Sequence, residues 1–530
     1  MDKISPRSLY ELIKGKSEFS LVDLREDGVF GERHLLFAVN IPLSHMEFLV
    51  GNLIPNRHVP IILCGKGNDE DLIDRGALRL KTFGYKNISI LSGGVDSWEQ
   101  EGFELFSGIN VPSKAFGEFI ETNNKTPHVS AEKLEQMIKL EEKLVILDSR
   151  PFSEYELMSI PGGINVPGAE LSYRVADLSL GLDTTIVVNC AGRTRSIIGA
   201  QSLINAGVLN KVVALENGTM GWHLAGKDLE YGSSIRFPEI SECGHKVAKC
   251  RAKTLIKKFK IEKIDGIAVN KMMNDFRRTT YLLDVRDPVE FKAGHIPGSI
   301  SSPGGQLIQA TDQYIAVRSS RLILIDNDDI RAAMTASWLK QMGWSEVFVF
   351  QGGISAAGKL HSGPYEPKIL GNDNEDISFI ELIEFDDLME DEGIKVIDFA
   401  SSSIYCDNGH IPGAYFAIRA NLSNSLKKIG NANIFILTSP DGKLAEMAAH
   451  DDALLGLNVK VLKGGTSSWV AGGLSLEKGF TRMADKANDV WYRPYDFKDG
   501  AEDAMKQYLS WEIELINQIR RDGTTNFQGI

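Results

Sequence analysis

A cysteine followed by a short basic loop is the part of this sequence best suited to chemistry. The apolar run 186–188 leads toward Cys190, and Arg193 and Arg195 follow within five residues. Residues 197–204 then carry apolar side chains at helical spacing, so the free N–H groups of a helix's first turn should face the loop. These donors, the helix dipole and the two guanidinium groups favour a thiolate and attract an anion. The pattern predicts a nucleophilic cysteine. The alternative, a buried structural cysteine, is disfavoured by the two neighbouring arginines.

The same order of features occurs four times along the chain. Each copy has an apolar run that ends on an aspartate, a turn centred on proline, a second apolar run, a helix-like stretch and a third apolar run that ends in Gly-Gly or Asn-Gly. Similarity at a spacing of about 110 to 135 residues predicts tandem domains. Alternating strands and helices predict an α/β fold with a mostly parallel sheet in each domain. Reactive loops in such sheets follow the carboxyl ends of strands, which is where Cys190 lies. The four aspartates are Asp23, Asp148, Asp284 and Asp398.

Three motifs together resemble the rhodanese (sulfurtransferase) family. They are the repeated Asp-x-Arg, the Gly-His-Ile-Pro-Gly turn at 294–298 and 409–413, and the unit of strand, cysteine, loop and helix around Cys190. The resemblance covers residues 1 to about 478 as four rhodanese-like domains, each a mostly parallel sheet flanked by helices. With the segment Trp-Tyr-Arg-Pro-Tyr at 491–495, the arrangement is similar to that of bacterial four-domain thiosulfate sulfurtransferases.

The repeats and the resemblance suggest six segments. Domain 2 is expected to be catalytic, and domains 1, 3 and 4 are expected to be inactive. The expected segments are domain 1 at 1–110, domain 2 at 125–235, a basic connector at 236–260, domain 3 at 261–368, domain 4 at 376–478 and a C-terminal packing segment at 485–530.

The resemblance also implies roles for individual residues. It makes Cys190 the persulfide-forming cysteine of a thiosulfate sulfurtransferase, which moves sulfur from a small anionic donor to cyanide or a thiol. Asp148 and Arg150 are expected to be structural partners, with a supporting role of Arg150 in the pocket as the alternative. Neither a cofactor nor a metal is implied. The residues expected to bind the substrate are Ala191, Gly192, Arg193, Thr194, Arg195 and Ser196.

The other three domains depart from the pattern of domain 2. Asp326 stands at the cysteine position of domain 3 and Thr438 at that of domain 4, so neither can form a persulfide. Domain 1 keeps Cys64, but its loop is longer by about three residues and contains three acids against the single cation Lys66. We therefore expect Cys64 to be protonated near neutral pH.

Composition limits the class of protein. The net charge of −13 argues against nucleic-acid binding, and no apolar run reaches membrane-spanning length. The first residues lead directly into an expected helix, which leaves no room for a signal peptide. Five cysteines without a disulfide framework favour a cytoplasmic, reducing compartment. Cys243, His245 and Cys250 are too few for a zinc site, so no metal is expected.

The C-terminal segment carries more apolar surface than an isolated helix can leave in water. Aromatic residues at 491–497 precede a helical pattern at 501–521. The segment is expected to pack on a neighbouring domain or on a second subunit, so a homo-oligomer is one of two options.

Two other functions remain open on the sequence alone. A cysteine-dependent phosphatase or arsenate reductase uses a similar loop, but with five residues between cysteine and arginine, whereas four separate Cys190 from Arg195. The non-enzymatic alternative is a scaffold or carrier that accepts one persulfide without turnover.

Overall fold

The computed structural model describes residues 1–178, 180–371, 377–389 and 393–529. It contains four α/β units, each with five strands that pair in parallel in the spatial order first, fifth, fourth, second, third, and one further strand of the third unit joins the sheet of the first. The predicted fold class is therefore confirmed. Residue 376, the predicted start of domain 4, and residue 530 lie outside the described residues.

Domain 1 follows this order, and its two central strands are buried along their whole length. Its first helix begins after Ser5, whose hydroxyl accepts the N–H of Ser8, as an N-cap should. The strands are β1 (Asp2–Ile4), β2 (Phe19–Asp23), β3 (Val39–Asn40), β4 (Ile61–Cys64) and β5 (Ile88–Leu91), and the helices are α1 (Pro6–Lys14), α2 (Asp27–Glu32), α3 (Met46–Leu53), α4 (Glu70–Thr82) and α5 (Gly94–Gln100).

Domain 2 repeats the order, and the residues left between the first two predicted domains form a helix of their own. That linker helix is α6 (Val111–Asn124). The elements of domain 2 are β6 (His128–Val129), α7 (Ala131–Lys139), β7 (Leu144–Asp148), α8 (Phe152–Leu157), β8 (Ile164–Asn165), α9 (Glu170–Arg174), β9 (Thr185–Asn189), α10 (Thr194–Asn205), β10 (Val212–Leu215) and α11 (Gly218–Leu224).

The basic connector folds as α12 (Glu242–Lys258). It is not a free solvated helix, because Ala248, Ala252 and Leu255 are buried. Domain 3 follows with β11 (Glu262–Ile264), α13 (Gly266–Met273), β12 (Thr280–Asp284), α14 (Pro288–Ala293), β13 (Ile300–Ser301), α15 (Gly304–Gln309), β14 (Val317–Arg318), β15 (Arg321–Ile325), α16 (Ile330–Gln341), β16 (Val347–Phe350) and α17 (Gly353–Ala356).

Domain 4 and the C-terminal helix complete the described chain. Their elements are β17 (Phe379–Ile380), α18 (Leu382–Leu388), β18 (Ile394–Asp398), β19 (Tyr415–Phe416), α19 (Leu422–Ile429), β20 (Ile434–Thr438), α20 (Lys443–Ala448), β21 (Val459–Leu462), α21 (Gly465–Ala471) and α22 (Ala501–Asp522). Short 3-10 or π turns lie at Leu43–His45, Val175–Leu178, Thr311–Gln313, Ile404–Asn408, Arg419–Asn421, Asp452–Leu454 and Pro494–Asp496.

One strand of domain 3 belongs to the sheet of domain 1. Strand β14 pairs antiparallel with the edge of β2, with Val317 opposite Ser20. The two domains therefore share backbone hydrogen bonds as well as side-chain packing.

Buried ion pairs join other domains. In domain 4, the guanidinium of Arg419 binds Asp451 of the same domain and both carboxylate oxygens of Glu47 in domain 1, at 3.0 Å each. Because both side chains of the Arg419–Glu47 pair are nearly inaccessible to solvent, this is a desolvated contact between domains.

The C-terminal helix packs within the chain. Leu515 and Ile519 of α22 are part of the core of domain 1, while Met505 and Leu509 pack on Met220 of domain 2. The helix therefore packs on domains 1 and 2 of its own chain. A homo-oligomer remains a prediction. In the part of the chain that the structure describes, no helix is both long and apolar enough to cross a bilayer.

Candidate active site

A cavity of about 310 Å³ lies over the sulfur-bearing end of β9. The predicted residues Cys190 to Arg195 line it, whereas Ser196 lies behind them. The remaining walls come from α6, domain 3, the aromatic tail and α22, and their members include Lys114, Gln306, Gln309, Gln313, Arg493, Tyr495, Tyr508 and Glu512. Parts of the chain that are far apart in sequence therefore line the cavity around one thiol.

The thiol of Cys190 is buried, with 2% of the residue exposed. The hydroxyl of Ser196 donates to Sγ over 3.1 Å, and the Ser196 backbone N–H also points to the sulfur. Burial raises the pKa of Cys190 above its ordinary value, whereas Arg195 and the two Ser196 donors lower it. The stabilising groups predicted from the loop are present, but in the resting structure burial outweighs them.

The cysteine loop is fixed from the neighbouring strand end. The backbone N–H groups of Thr219 and Met220 donate to the carbonyls of Cys190 and Ala191 at 2.8 and 2.9 Å. Gly218 has φ of +55°, and a Cβ there would lie 2.4 Å from the Cys190 carbonyl oxygen. The Asn-Gly of the third strand is thus required by the close approach of the loop.

Asp148 and Arg150 form a buried ion pair behind the loop. The Arg150 guanidinium binds both carboxylate oxygens of Asp148, at 2.9 and 2.7 Å, and the Met158 carbonyl at 2.7 Å. The Asn189 side chain, one residue before the cysteine, also donates to Asp148. These contacts tie β7 to β9 beneath the thiol, and neither member of the pair lines the cavity as described.

The two arginines of the loop already have carboxylate partners. Arg193 makes a bidentate pair with Glu118 of α6, at 2.7 and 2.9 Å, and also binds Glu121 and Asn217. Arg195 pairs with Glu154 at 2.9 and 2.8 Å. The sequence led us to expect that both guanidinium groups favour the thiolate, and the structure adds carboxylate partners that lie on other elements.

The C-terminal helix supplies a second acidic wall. Glu512 is buried and accepts hydrogen bonds from Tyr508 at 3.0 Å and from Thr194 at 3.3 Å. Burial raises the pKa of Glu512, and the charged carboxylate would raise that of Cys190. Nothing in the spacing around Cys190 pointed to these residues, and the only signal was the unexplained apolar and aromatic character of the tail.

The four α/β units were compared with models of known protein families. Four stretches, residues 5–101, 130–225, 268–359 and 381–472, match the model of the rhodanese-like domain. The chain belongs to the rhodanese family.

Solved and curated relatives extend the comparison. The chain is similar over its whole length to the crystal structure of a thiosulfate sulfurtransferase from Pseudomonas aeruginosa, with 43% identity, a TM-score of 0.95 and complete coverage of both chains. It is 33% identical over 93 residues to an HTH-type transcriptional regulator, Rv0324, of Mycobacterium tuberculosis, covering 18% of this chain and 40% of that protein. It is 30% identical over 102 residues to the putative sulfur carrier protein YrkF of Bacillus subtilis, covering 19% and 54% respectively. The chain therefore spans about half the length of these curated relatives.

The rhodanese-like domain 1 holds its cysteine in a different environment. The Cys64 thiol points to the Val22 carbonyl and to Asp23, at 3.5 and 3.7 Å. Burial raises the pKa of Cys64 well above its ordinary value, and Asp23 adds to this. The sequence predicts that the acids of its loop raise the pKa of Cys64, whereas the causes in the structure are burial and Asp23. Asp69 accepts the backbone N–H of Lys66 and so occupies a donor that an anion would need.

The rhodanese-like domain 3 has a salt bridge where domain 2 has a thiol. Asp326 accepts hydrogen bonds from Nε and from the backbone N–H of Arg331, at 2.9 and 2.7 Å. The other two acids of its loop are also paired, Asp328 with His245 and Lys249 and Asp329 with Lys263. The cations that pair with these three acids come from Arg331 of α16, from the connector helix and from Lys263 of β11.

Replacing Asp326 by alanine should leave the rate of thiocyanate formation within about twofold of the parent rate but lower the thermal unfolding midpoint. Removing one partner of a buried ion pair typically costs about 3–5 kcal/mol. The loss here should be smaller, because Arg331 keeps Glu170 and Glu290. Thr438→Ala in domain 4 is the matched control and should change neither quantity by much. A hundredfold fall in kcat with folding intact would show that domain 3 takes part in the chemistry.

Proposed function

We propose that the protein is a thiosulfate sulfurtransferase that carries sulfur as a persulfide on Cys190. The observation that supports this most directly is the buried thiol of Cys190 in the wall of a cavity of about 310 Å³, with two Ser196 donors on its sulfur. The full-length likeness to a thiosulfate sulfurtransferase supports the same substrate class. Cyanide, or a thiol of the cell, is the proposed acceptor.

The first half-reaction forms the persulfide. The Cys190 thiolate attacks the outer sulfur of thiosulfate, a bond forms between the two sulfurs, and the sulfur–sulfur bond of the donor breaks. Sulfite leaves with the bonding electron pair. Arg195 lowers the pKa of Cys190 and therefore favours the reactive thiolate over the thiol. The donors of Ser196 stabilise negative charge at Sγ in the same way.

The second half-reaction returns the enzyme to its starting state. Cyanide attacks the outer sulfur of the persulfide, the new carbon–sulfur bond forms, and the Cys190 thiolate leaves with the electron pair of the sulfur–sulfur bond. A thiolate acceptor would react in the same way and leave as a persulfide. Neither half-reaction requires a metal or a cofactor.

The proposal is tested by mass spectrometry combined with turnover. Thiosulfate should add the mass of one sulfur atom to the peptide that contains Cys190, and cyanide should remove it. Repeated cycles should give many thiocyanates per protein. Formation of at most one thiocyanate would identify a carrier instead, and sulfur on another cysteine would contradict the assignment of Cys190. Cys243 and Cys250 are exposed, so their serine variants provide the background in which the adduct is mapped.

A further inference from the structure

A buried lysine outside the cysteine loop faces the cavity over Cys190. Lys114 lies in the first turn of the linker helix α6 and is only 5% exposed. Its ammonium lies 5.0 Å from the ring centre of Tyr508 and 4.8 Å from that of Trp511. Both aromatic residues come from α22, so the C-terminal helix holds the lysine against the cavity wall.

The other cations of the cavity are already neutralised. Arg193 binds Glu118 and Glu121, and Arg195 binds Glu154. Arg493 of the tail pairs with Asp496 at 3.0 Å. Each of these guanidinium groups would have to share its donors with a resident carboxylate in order to bind an anionic substrate.

Lys114 differs from them because its ammonium has no anionic partner. Within the described ranges, no carboxylate lies within 4.0 Å of its nitrogen and no side-chain hydrogen bond reaches it. Glu512 and Asp312 act on it only from a longer distance. Burying an unpaired charge is costly. The two aromatic rings offset only part of that cost, and an anion in the cavity would offset more.

We infer that Lys114 binds the sulfonate group of the sulfur donor and thereby selects donors that carry an oxyanion. The inference rests on the proposed function and extends it to the substrate contact. An ammonium with three N–H donors suits the sulfonate oxygens of thiosulfate. It would also stabilise the charge that builds up on the departing sulfite.

The protonation of Lys114 is consistent with this role. Burial lowers the pKa of Lys114, Glu512 and Asp312 oppose this shift, and Arg195 adds a smaller lowering, so that the pKa is about 8. Lys114 is therefore largely charged near neutral pH, and a bound dianion would favour the charged form more strongly.

The test uses the fact that a double-displacement enzyme reports each half-reaction separately. The value of kcat/KM for thiosulfate depends on the first half-reaction, and that for cyanide on the second. In the full-length protein, Lys114→Met keeps an unbranched apolar side chain at this position but removes the charge. We expect it to lower kcat/KM for thiosulfate by roughly 10- to 100-fold, as for the loss of a charge-assisted hydrogen bond. The value for cyanide should change much less.

The matched control is Lys139→Met, which removes the same charge from an exposed position on α7. It should leave both values unchanged. A Lys114→Met enzyme with the parent kcat/KM for thiosulfate would overturn the inference while leaving the proposed function intact. A parent enzyme without thiosulfate turnover would instead overturn the proposed function itself.

A binding measurement separates the contact from a structural effect. Cys190→Ala cannot react but should bind thiosulfate measurably by calorimetry, and adding Lys114→Met should abolish that binding while the thermal unfolding midpoint stays within a few degrees. Equal thiosulfate binding by the single and double variants would overturn the inference. An equal loss in both half-reactions together with a lowered midpoint would also overturn it, because Lys114 would then have only a structural role.

Discussion

Replacing Cys190 by serine should reduce thiocyanate formation from thiosulfate and cyanide by at least about a thousandfold. A serine hydroxyl ionises at far higher pH than a thiol and is a poor nucleophile toward sulfur. The substitution is nearly isosteric and leaves the donors of Ser196 in place. Fold and stability should therefore stay close to those of the parent. The measurements are the steady-state rate and the mass of the protein after exposure to thiosulfate.

Cys64→Ser is the matched control for this experiment. Cys64 also ends a central strand and is also buried, but its thiol points to Val22 and Asp23. The control should retain the parent rate and the sulfur adduct. Activity that survives in Cys190→Ser and disappears in Cys64→Ser would move the reaction to domain 1.

Arg195→Ala should lower kcat/KM for thiosulfate. The expected loss of transition-state stabilisation is about 2 to 4 kcal/mol, comparable to the loss of one oxyanion-hole donor. Two effects act in the same direction. The thiol loses the cation that lowers its pKa, and Glu154 is left without its partner at the edge of the cavity. The pH at which Cys190 becomes reactive should therefore rise, which is measurable from the pH dependence of alkylation at Cys190.

Two variants separate these effects. Arg195→Ala combined with Glu154→Gln removes both charges, so it should recover the part of the loss that comes from the unpaired Glu154 but not the part that comes from the missing cation. Arg174→Ala is the matched control, since Arg174 is equally exposed and also pairs with a glutamate, Glu170, but does not line the cavity. If Arg195→Ala keeps the parent pH dependence of alkylation, Arg195 does not tune the thiol.

Much of the fold was predictable because each domain encodes it locally. The repeated aspartates and Gly-Gly turns mark strand ends that depend on neighbours within one domain, and the four predicted parallel sheets follow from them. Strand β14 could not be predicted, because Val317 and Arg318 form a two-residue strand whose partner, β2, belongs to another domain. A pattern of residues specifies a strand but does not specify which sheet edge receives it.

The candidate site also has a part that could be predicted from the sequence and a part that could not. The position of Cys190 and its loop was readable because a strand, a cysteine and a helix start follow one another in sequence. The charged residues that surround the thiol and the loop arginines could not be predicted from the sequence. Glu118 and Glu154 neutralise the loop arginines from other helices, and Lys114 and Glu512 enter from the linker and the C-terminal helix. Only tertiary packing brings these charges together.

The residues that line the cavity over Cys190 are synthesised at very different times. Its walls include residues of α6, α15 and α22, so a nascent chain on the ribosome can fold domain 2 long before the enclosure exists. Until α22 has been synthesised, the rings of Tyr508 and Trp511 that contact Lys114 are absent from the cavity. Contacts between such distant parts of the sequence form slowly. The walls around the thiol are therefore complete only once α22 has been synthesised and has packed on domain 2.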